Sequence, residues 1–568
     1  MLSPSSDSAA VVAALSISAL LAHQIFRKYE TSSLPVHAFL LLVPPAIASH
    51  HVKSAGAGWP TISELVFCYT TYLGVLAVSV VLYRLSPFHP LHQYPGPIWC
   101  RTSMLWHVMQ TINGKQMEYL RSLHDTYGDV VRVGPNHLSV RDPSLIGPIL
   151  GPAGISKCLQ VPLVYPPRRR AWNRGLAPSA LKGYDHIMSN RVHQLVEVLG
   201  QQEGAVVLGK WINYFAYDFM SDMVFGGGSE QMRDGDKGDI WAMVDKGAEI
   251  GFHLGQIPWL GIYLGYIPGA GGPLNLLLEH GRQQTKKRIA RGSSTRDLFY
   301  YLNNEDLPGE APPPERHLLD DGVLAMVAGS DTTSSAITSV FHCLLAHPPA
   351  YAALQDEVDR FYPRGEDVCD VTHHREMRYL TAVINETLRL FPPAPTSSPR
   401  QVPHDAPAPV VVGARSLVLA PGTHVYVPPY VLHRDARNFV FPDAFWPERW
   451  LVAAGRMPLA LARARAPSLS LPRPSGSTST AMYAADLEAE FAHDERASVP
   501  FSHGPANCVG RALAMRQMRV VVCAVLQRFR AVRPGDEERW EVGRYEREFR
   551  DYLVANRPEL GVVLEKRW

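Results

Sequence analysis

Two long apolar segments near the N-terminus constrain the fold of this chain more than any other feature. Residues 9–26 contain no Asp, Glu, Lys or Arg and are followed by Arg27-Lys28. Residues 62–83 contain a single acidic residue and are followed by Arg84. At a rise of about 1.5 Å per helical residue, a segment of about 20 residues is long enough to cross a bilayer. We therefore expect both segments to be membrane-spanning helices.

A third apolar segment, residues 36–48, lies between these two and is interrupted by Pro44-Pro45. It is either a kinked third span or a re-entrant segment. For residues 9–26 the alternative is a cleaved signal peptide, but the basic start and the clear cleavage site of such a peptide are missing. With three spans, the basic residues after the first and last span lie on one side of the membrane. The positive-inside rule makes that side cytosolic.

These segments divide the chain into a membrane anchor, residues 1–90, and a large domain facing the cytosol, residues 91–568. The seven cysteines are scattered without CxxC spacing. That pattern argues against a disulfide framework or a zinc site and agrees with a reducing compartment. The 55 basic and 53 acidic residues nearly balance. Because no basic tract is interleaved with aromatic residues, we expect no nucleic-acid partner.

The stretch FSHGPANCVG, residues 501–510, places a cysteine in a loop directly before a predicted helix, residues 509–529. Gly504 and Gly510 allow the backbone to approach a bulky group, because glycine has no Cβ. Cys508 would lie near the helix N-terminus, whose N–H groups stabilise a thiolate. A thiolate there is either a nucleophile or a metal ligand. The histidine within the same loop is too close along the chain to be a convincing base, so we favour a metal ligand.

A long apolar helix with a polar centre is predicted over residues 321–347. A glycine at such a position opens space beside the helix, and threonine hydroxyls can bond back to helical carbonyls. The alternative is a surface stripe of Ser and Thr, or a helix cap. The polar residues are Gly329, Ser330, Asp331, Thr332 and Thr333.

Glu386 and Arg389 form an ExxR pair within a predicted helix that is apolar on both sides. On a helix surface, such an i,i+3 ion pair would contribute only a few tenths of a kcal/mol. The apolar flanks instead indicate a buried pair. A buried pair needs further hydrogen-bonding partners to offset its desolvation.

Together these motifs resemble those of the cytochromes P450, the haem-thiolate monooxygenases, and most closely those of membrane-bound fungal members. The cysteine loop matches the family pattern at Phe501, Gly504, Cys508 and Gly510. It departs at Ala506, where the family usually has an Arg or His that binds a haem propionate. The resemblance implies a mainly α fold with small β-sheets, the cytochrome P450 fold, behind N-terminal transmembrane segments. It also implies haem b, with Cys508 as the axial ligand of its iron.

The resemblance assigns roles to the other motifs. Thr332 would hydrogen-bond the bound dioxygen, and Asp331 would relay protons to it. Arg449, in FPDAFWPERW, would join the ExxR pair in a structural triad that has no catalytic role. Arg400 and, more loosely, Arg169 match positions that bind haem propionates. The alternative for the basic cluster that contains Arg169 is simple solvation. The full set of expected site residues is Thr332, Asp331, Cys508, Phe501, Gly504, Gly510, Arg400, Arg169, Glu386, Arg389 and Arg449.

The resemblance also implies the activity: insertion of one atom of O2 into a lipophilic small molecule of secondary metabolism. The electrons would come from NADPH through a separate membrane-bound NADPH–cytochrome P450 reductase, because no convincing nucleotide-binding motif is present. Arg511, Arg516 and Arg519 either help to dock the reductase, contact the haem or are simply solvated. The expected location is the endoplasmic reticulum membrane, with the catalytic domain in the cytosol.

Three alternatives remain open from the sequence. One is a haem-thiolate isomerase or dehydratase, although such enzymes typically lack the acid–alcohol pair. Another is a membrane haem-binding protein without turnover, and the third is a membrane-anchored cysteine hydrolase without haem. Residues 453–495, rich in Ser, Pro and Ala, are predicted to form a flexible insertion before the cysteine loop.

Overall fold

The computed structural model describes eight ranges of the chain. Within them, a bundle of three N-terminal helices precedes a large helical domain with small sheets. Most of the predicted insertion, residues 467–490, lies outside the described residues. The described ranges are 6–29, 33–52, 59–155, 165–292, 295–413, 417–466, 491–535 and 543–568.

The N-terminal bundle consists of α1 (Ser6–Lys28), α2 (Leu34–Val52) and α3 (Ile62–Leu85). By length and composition, two helices of the described chain are apolar enough to cross a membrane, over Ala9–Lys28 and Ile62–Leu85. They match the two predicted spans. The helix α2 is not among the helices that are long and apolar enough to cross a membrane. It is continuous and longer than the predicted third segment.

Close packing of α1 on α3 depends on small and well-fitted side chains. Leu15, Ala19 and Ala22 form one stripe of α1 and are at most 3 % exposed. Cys68 and Tyr72 of α3 are fully buried against them. Alanine lets two helix backbones approach closely, which favours association in an apolar medium.

The helix α2 continues through Pro44 because a side chain of α3 replaces the missing hydrogen bond. Proline has no N–H, so Pro44 cannot donate to the carbonyl four residues earlier, that of Leu40. The Tyr72 hydroxyl donates to this carbonyl oxygen at 2.6 Å. The structure therefore has one continuous helix through Pro44-Pro45, without the turn of a re-entrant segment.

The large domain is mainly helical, as expected. Its helices, in chain order, are α4 (Ile98–Thr102), α5 (Met104–Thr111), α6 (Gln116–Tyr127), α7 (Ile146–Leu150), α8 (Tyr165–Gly175), α9 (Pro178–Gly183), α10 (Asp185–Gly200), α11 (Leu208–Phe225), α12 (Gln231–Asp234), α13 (Ile240–Gln256), α14 (Pro258–Leu264), α15 (Gly272–Arg291), α16 (Leu298–Leu302), α17 (Glu315–Ala346), α18 (Pro348–Phe361), α19 (Arg378–Leu390), α20 (Pro429–His433), α21 (Glu448–Ala453), α22 (Leu459–Ala464), α23 (Arg511–Arg528) and α24 (Arg544–Glu548).

Eleven short strands in the described residues form four small sheets. The largest has the order β1-β2-β7-β4, with β2 parallel to β7 and the other pairs antiparallel. The others are β3-β11-β8, β5-β6 and β9-β10, all antiparallel. The strands are β1 (Val130–Gly134), β2 (His137–Val140), β3 (Ala205–Val207), β4 (Arg400–Gln401), β5 (Val410–Val412), β6 (Leu417–Leu419), β7 (His424–Tyr426), β8 (Phe529–Val532), β9 (Arg550–Tyr552), β10 (Val554–Asn556) and β11 (Gly561–Lys566).

The core is built around α17, which packs against α11, α15, α19 and α23. Nearly every residue of α11 is buried, as expected for a helix that is apolar on most of its circumference. Its one buried acid, Asp218, accepts hydrogen bonds from the Ser229 hydroxyl and from the backbone N–H groups of Gln231 and Met232. The predicted mainly α fold with small sheets is confirmed, and α17 begins six residues earlier than the predicted helix.

Candidate active site

A cavity of about 310 Å³ lies between α17 and the cysteine loop. The predicted site residues Thr332, Phe501, Cys508, Gly510 and Arg400 all line it. Most of the other lining side chains are apolar or small. The structure therefore places a thiol and a helical hydroxyl on the walls of one largely apolar space.

The cysteine loop is held in shape by its own backbone. The Cys508 N–H donates to the Phe501 carbonyl at 2.9 Å, and the Asn507 N–H donates to the Gly504 carbonyl at 3.0 Å. Gly504 has a φ of +72°, and a Cβ there would lie 2.1 Å from the carbonyl oxygen of Leu150. The close approach of this neighbouring backbone therefore requires glycine at position 504.

Gly510 meets the expectation more directly, because it lines the cavity and caps the N-terminus of α23. A Cβ at this position would lie 3.8 Å from the Cys508 Sγ. The helix α23 begins three residues after Cys508, so the cysteine precedes its first turn as the sequence predicted. On the same helix, Gln517 lines the cavity. Its buried Nε2 has no hydrogen-bond partner within the described ranges.

The polar centre of α17 lies inside the domain, where Ser330 and Asp331 are buried and Thr332 is half-buried. Two of its hydroxyls are satisfied within the helix. The Ser330 hydroxyl donates to the Met326 carbonyl, and the Thr332 hydroxyl donates to the Ala328 carbonyl, both at 2.6 Å. Such back-bonding allows Ser and Thr to occupy a core helix. Gly329 lies against Met220, where a Cβ would come within 2.6 Å of the sulfur atom. The surface-stripe and helix-cap alternatives are therefore wrong.

Glu386, Arg389 and Arg449 form one fully buried cluster. Arg389 donates from Nε to one carboxylate oxygen of Glu386 at 2.9 Å and from Nη2 to the other at 2.8 Å. The Nε of Arg449 donates to Glu386 at 3.0 Å. The Trp446 N–H and the Trp450 indole N–H also donate to this carboxylate, at 2.9 and 3.0 Å. The expected extra partners are thus present.

The charges in this cluster determine the ionisation of Glu386. Burial is the largest influence and favours the neutral acid. The Arg389 and Arg449 guanidinium groups, with the hydrogen bonds, outweigh it and lower the pKa of Glu386 to about 2. The carboxylate is therefore ionised at neutral pH and fully paired.

The comparisons agree with this geometry. The sequence model of the family described as Cytochrome P450 matches residues 166–543, well over half of the chain. The chain belongs to the cytochrome P450 family. It is 27% identical over 544 residues to cytochrome P450 monooxygenase FCK2 of Fusarium pseudograminearum, covering 92% of this chain and 90% of the relative.

Two other fungal relatives are of similar length. Tryprostatin B 6-hydroxylase of Aspergillus fumigatus is 26% identical, over 84% of this P450 and 82% of the relative. Cytochrome P450 monooxygenase ABA2 of Pyricularia oryzae is 28% identical, over 90% of this P450 and 98% of the relative. The expected family, and its fungal type, are confirmed.

The cavity of this P450 has the features that a haem requires. Its walls are largely apolar, it has a thiol on one side, and Arg400, only 3 % exposed, supplies a buried cation. A flat apolar ring with carboxylate substituents and a thiolate-binding metal matches that donor set. Ala506 lines the same cavity and brings no charge of its own. The residues present therefore fit a haem held through Cys508 and Arg400.

Arg169 is placed differently from the expectation. Its guanidinium donates to the Asn507 backbone carbonyl at 2.9 Å and to the Asn507 side-chain oxygen at 3.1 Å. It is not among the residues that line the cavity. In the structure, Arg169 braces the cysteine loop from the residue next to Cys508.

Sequence reasoning missed His433, which connects the buried triad to the cysteine loop of this P450. The Val499 N–H donates to its Nε2 at 2.9 Å, so the other ring nitrogen, Nδ1, donates to the Arg389 carbonyl at 3.0 Å. Burial and the charge of Arg389 lower the pKa of His433 to about 3. Val499 lies just before the loop and lines the cavity. A neutral imidazole thus joins the two elements.

His433 should make the stability of the protein depend on pH in a defined window. The unfolded chain binds a proton at this site below about pH 6.5, whereas the folded protein does so only near pH 3. Its stabilising effect is therefore complete above pH 6.5 and is lost as the pH falls towards 3. We expect His433→Gln to reduce the slope of unfolding free energy against pH between 6.5 and 4.5, by up to roughly 1.4 kcal/mol per pH unit.

The measurement is urea unfolding at a series of pH values. Glu386 contributes only below its unfolded pKa near 4.5, so it does not enter this window. An unchanged slope in His433→Gln would show that the neutral imidazole does not make the stability depend on pH in this window.

Proposed function

We propose that this cytochrome P450 binds haem b through Cys508 and inserts one atom of O2 into a lipophilic small molecule of secondary metabolism. One observation carries the proposal: Cys508 and Thr332 face one largely apolar cavity from opposite elements, the cysteine loop and α17. When bound there, the haem would supply the oxygen-activating redox chemistry. Fungal relatives named as monooxygenases, one of them a hydroxylase, support the same reaction class.

The residues around the cavity have separate tasks in this proposal. Cys508 is the metal ligand, and Arg400 binds a haem propionate. Phe501 and Gly510 shape the surface beside the haem, while Gly504 and Arg169 stabilise the loop that carries Cys508.

Thr332 and Asp331 handle protons in this proposal. The Thr332 hydroxyl donates to a helical carbonyl, and its oxygen keeps a lone pair with which to accept a proton or a hydrogen bond. Asp331 adjoins it in sequence, and burial raises the pKa of Asp331 to about 6. A buried acid that titrates near neutral pH is suited to give and regain protons. The triad of Glu386, Arg389 and Arg449 supports the loop without taking part in the chemistry.

The setting completes the proposal. The helices α1 and α3 anchor residues 1–90 in the endoplasmic reticulum membrane, and the domain from residue 91 onward faces the cytosol. A separate NADPH–cytochrome P450 reductase supplies the electrons. Residues 453–495 form an insertion, and the largely apolar cavity favours a lipophilic substrate.

The test is an isotope experiment with the full-length protein and the reductase in phospholipid vesicles. Apolar candidate substrates are first screened for a change in the haem absorption spectrum and are then incubated with NADPH under ¹⁸O2. We expect a product that contains one ¹⁸O atom. A product without ¹⁸O would favour an isomerase or dehydratase. Haem binding without NADPH-dependent oxygen uptake across the screen would favour a non-catalytic haem protein.

Removing the Thr332 hydroxyl should divert electrons from product to hydrogen peroxide. For Thr332→Ala we expect the product formed per NADPH to fall by at least about tenfold, because a positioned proton donor contributes that much or more. Thr332→Ser keeps the hydroxyl and should retain most of the yield. The measurement is the ratio of product and peroxide to NADPH consumed. Equal ratios in the alanine variant and the unchanged protein would rule out this role for Thr332.

A further inference from the structure

A polar cluster joins the centre of α17 to the C-terminal hairpin β9–β10. Arg557, just after β10, lies with its Nη1 3.4 Å from the Asp331 carboxylate. Its Nη2 donates to the Ser334 hydroxyl at 2.8 Å and also to the side-chain oxygen of Asn213 in α11. The Arg557 and Asp331 side chains are only 8% and 9% exposed. The guanidinium is thus fixed by side chains of two helices, α17 and α11.

Asp331 faces this cluster and is not among the residues that line the cavity, although Thr332 beside it is. Two charged groups act on its carboxylate. Burial raises the pKa of Asp331 most, the charge of Arg557 lowers it, and Asp245 of α13 raises it further. The ion pair with Arg557 therefore holds the ionised carboxylate at the polar centre of α17.

The hairpin that carries Arg557 also contacts the cavity. Leu553, at its turn, and Val554, at the start of β10, both line the cavity. Leu553 has a φ of +74°, a strained conformation for a residue with a side chain. The hairpin is bonded to its surroundings by the Ala555 N–H, which donates to the Pro393 carbonyl at 2.8 Å. A molecule in the cavity would therefore contact the short hairpin that Arg557, the partner of Asp331, directly follows in the chain.

We propose that Arg557 is a positioning residue for Asp331: it holds the carboxylate at the centre of α17 and couples it to the hairpin that contacts the substrate. The inference rests on the proposed role of Asp331 as a proton relay. To pass a proton towards Thr332, the Asp331 carboxyl group must take up a proton and leave the guanidinium. Arg557 thus sets the pH at which Asp331 carries its proton.

The first experiment measures this pH without any substrate. The melting temperature of the haem-loaded, full-length protein is compared with that of Asp331→Asn between pH 4 and pH 9. The pKa of Asp331 is higher in the folded protein than in the unfolded chain, so the folded protein binds more protons between about pH 3.8 and 6. The melting temperature of Asp331→Asn, relative to that of the unchanged protein, should therefore increase with rising pH and level off above pH 6.

The same comparison is then made in the Arg557→Gln background. Without the cation, the pKa of Asp331 rises, so we expect the pH at which the melting-temperature difference levels off to increase by at least half a pH unit. Arg557→Lys keeps the charge and should restore the original pH of levelling off. Arg550→Gln is the matched control, because Arg550 lies on the same hairpin and donates to the Arg547 and Phe549 carbonyls. A lost side chain with only a structural role would lower the melting temperature without moving this pH.

The second experiment separates the inference from the function on which it rests. The product per NADPH is measured against pH for the same variants, with a compound that gives ¹⁸O-labelled product. We expect the pH dependence to shift upward in Arg557→Gln and to return in Arg557→Lys. If Asp331→Asn leaves the yield unchanged, the proton-relay role fails. If Asp331→Asn lowers the yield but Arg557→Gln shifts neither pH profile, the role of Arg557 alone is overturned.

Discussion

Replacing Glu386 with glutamine is expected to lower the free energy of unfolding by about 3–5 kcal/mol, because it leaves two buried guanidinium groups without their counter-ion. Glu386, Arg389 and Arg449 are all 0% exposed, so water cannot take over the lost interactions. Glutamine has nearly the same shape, which separates the loss of charge from the loss of volume. The measurement is urea unfolding of the haem-loaded protein at pH 7, followed by both helix content and haem absorbance.

The chain offers a control with the same spacing and the opposite environment. Lys115 and Glu118 form an i,i+3 ion pair at 2.6 Å, with side chains 25% and 46% exposed. Glu118→Gln should change the unfolding free energy by less than about 1 kcal/mol, as exposed pairs do. If both substitutions had equally small effects, the buried triad would not be the structural element proposed here.

Replacing Cys508 with serine is expected to abolish the strongly red-shifted Soret band of the reduced, carbon monoxide-bound protein. That band requires a thiolate ligand to the haem iron, and a serine hydroxyl does not supply one. The spectrum is recorded with the full-length protein before and after reduction, with and without carbon monoxide. A variant that keeps the shifted band would exclude Cys508 as the ligand.

Cys369→Ser is the matched control for this experiment. Cys369 is a free, half-buried cysteine that does not line the cavity. Its replacement should leave the band in place. If the unchanged protein itself showed no shifted band, the thiolate-ligated haem would be refuted, whatever the variants did.

Motifs that are contiguous in sequence could be predicted well. The cysteine loop, the polar centre of α17 and the ExxR pair each lie within a few residues, and their local patterns carry the chemistry. Their common cavity could be expected only from the family resemblance, because Thr332 and Cys508 are far apart in the chain. The triad was likewise expected by resemblance, and the apolar flanks of Glu386 supported its burial.

Pairs joined only by the tertiary fold could not be predicted. Arg557 and Asp331 are 226 residues apart, and nothing near Arg557 in the sequence marks it as a partner of an acid. His433 and Val499 are 66 residues apart. Arg169 has a clear positive charge, but its partner, Asn507, is 338 residues away. For such contacts the sequence shows the polar or charged residue, but only the tertiary fold shows its partner.

The continuity of α2 likewise depends on a tertiary contact that the local sequence does not show. Two adjacent prolines argue for a break when a helix is considered by itself. The hydroxyl that restores one lost hydrogen bond comes from Tyr72 on a different helix. Local propensity was therefore overridden by a neighbour that local reasoning does not include.

Trp446 contacts both described ends of the segment between α22 and the cysteine loop. Its indole N–H donates to the Ala462 carbonyl at 3.2 Å, and its ring meets that of Phe491 edge-on, with centroids 6.1 Å apart. The Val440 N–H donates to the Ala492 carbonyl at 2.9 Å, and the Asp494 N–H donates to the Asn438 carbonyl at 2.8 Å. His433 independently fixes the chain again at Val499. The ends are thus held together whatever the length between them, and the entropy of closing a loop grows only slowly with its length. This point of the fold can accept or lose residues over evolutionary time without displacing Cys508.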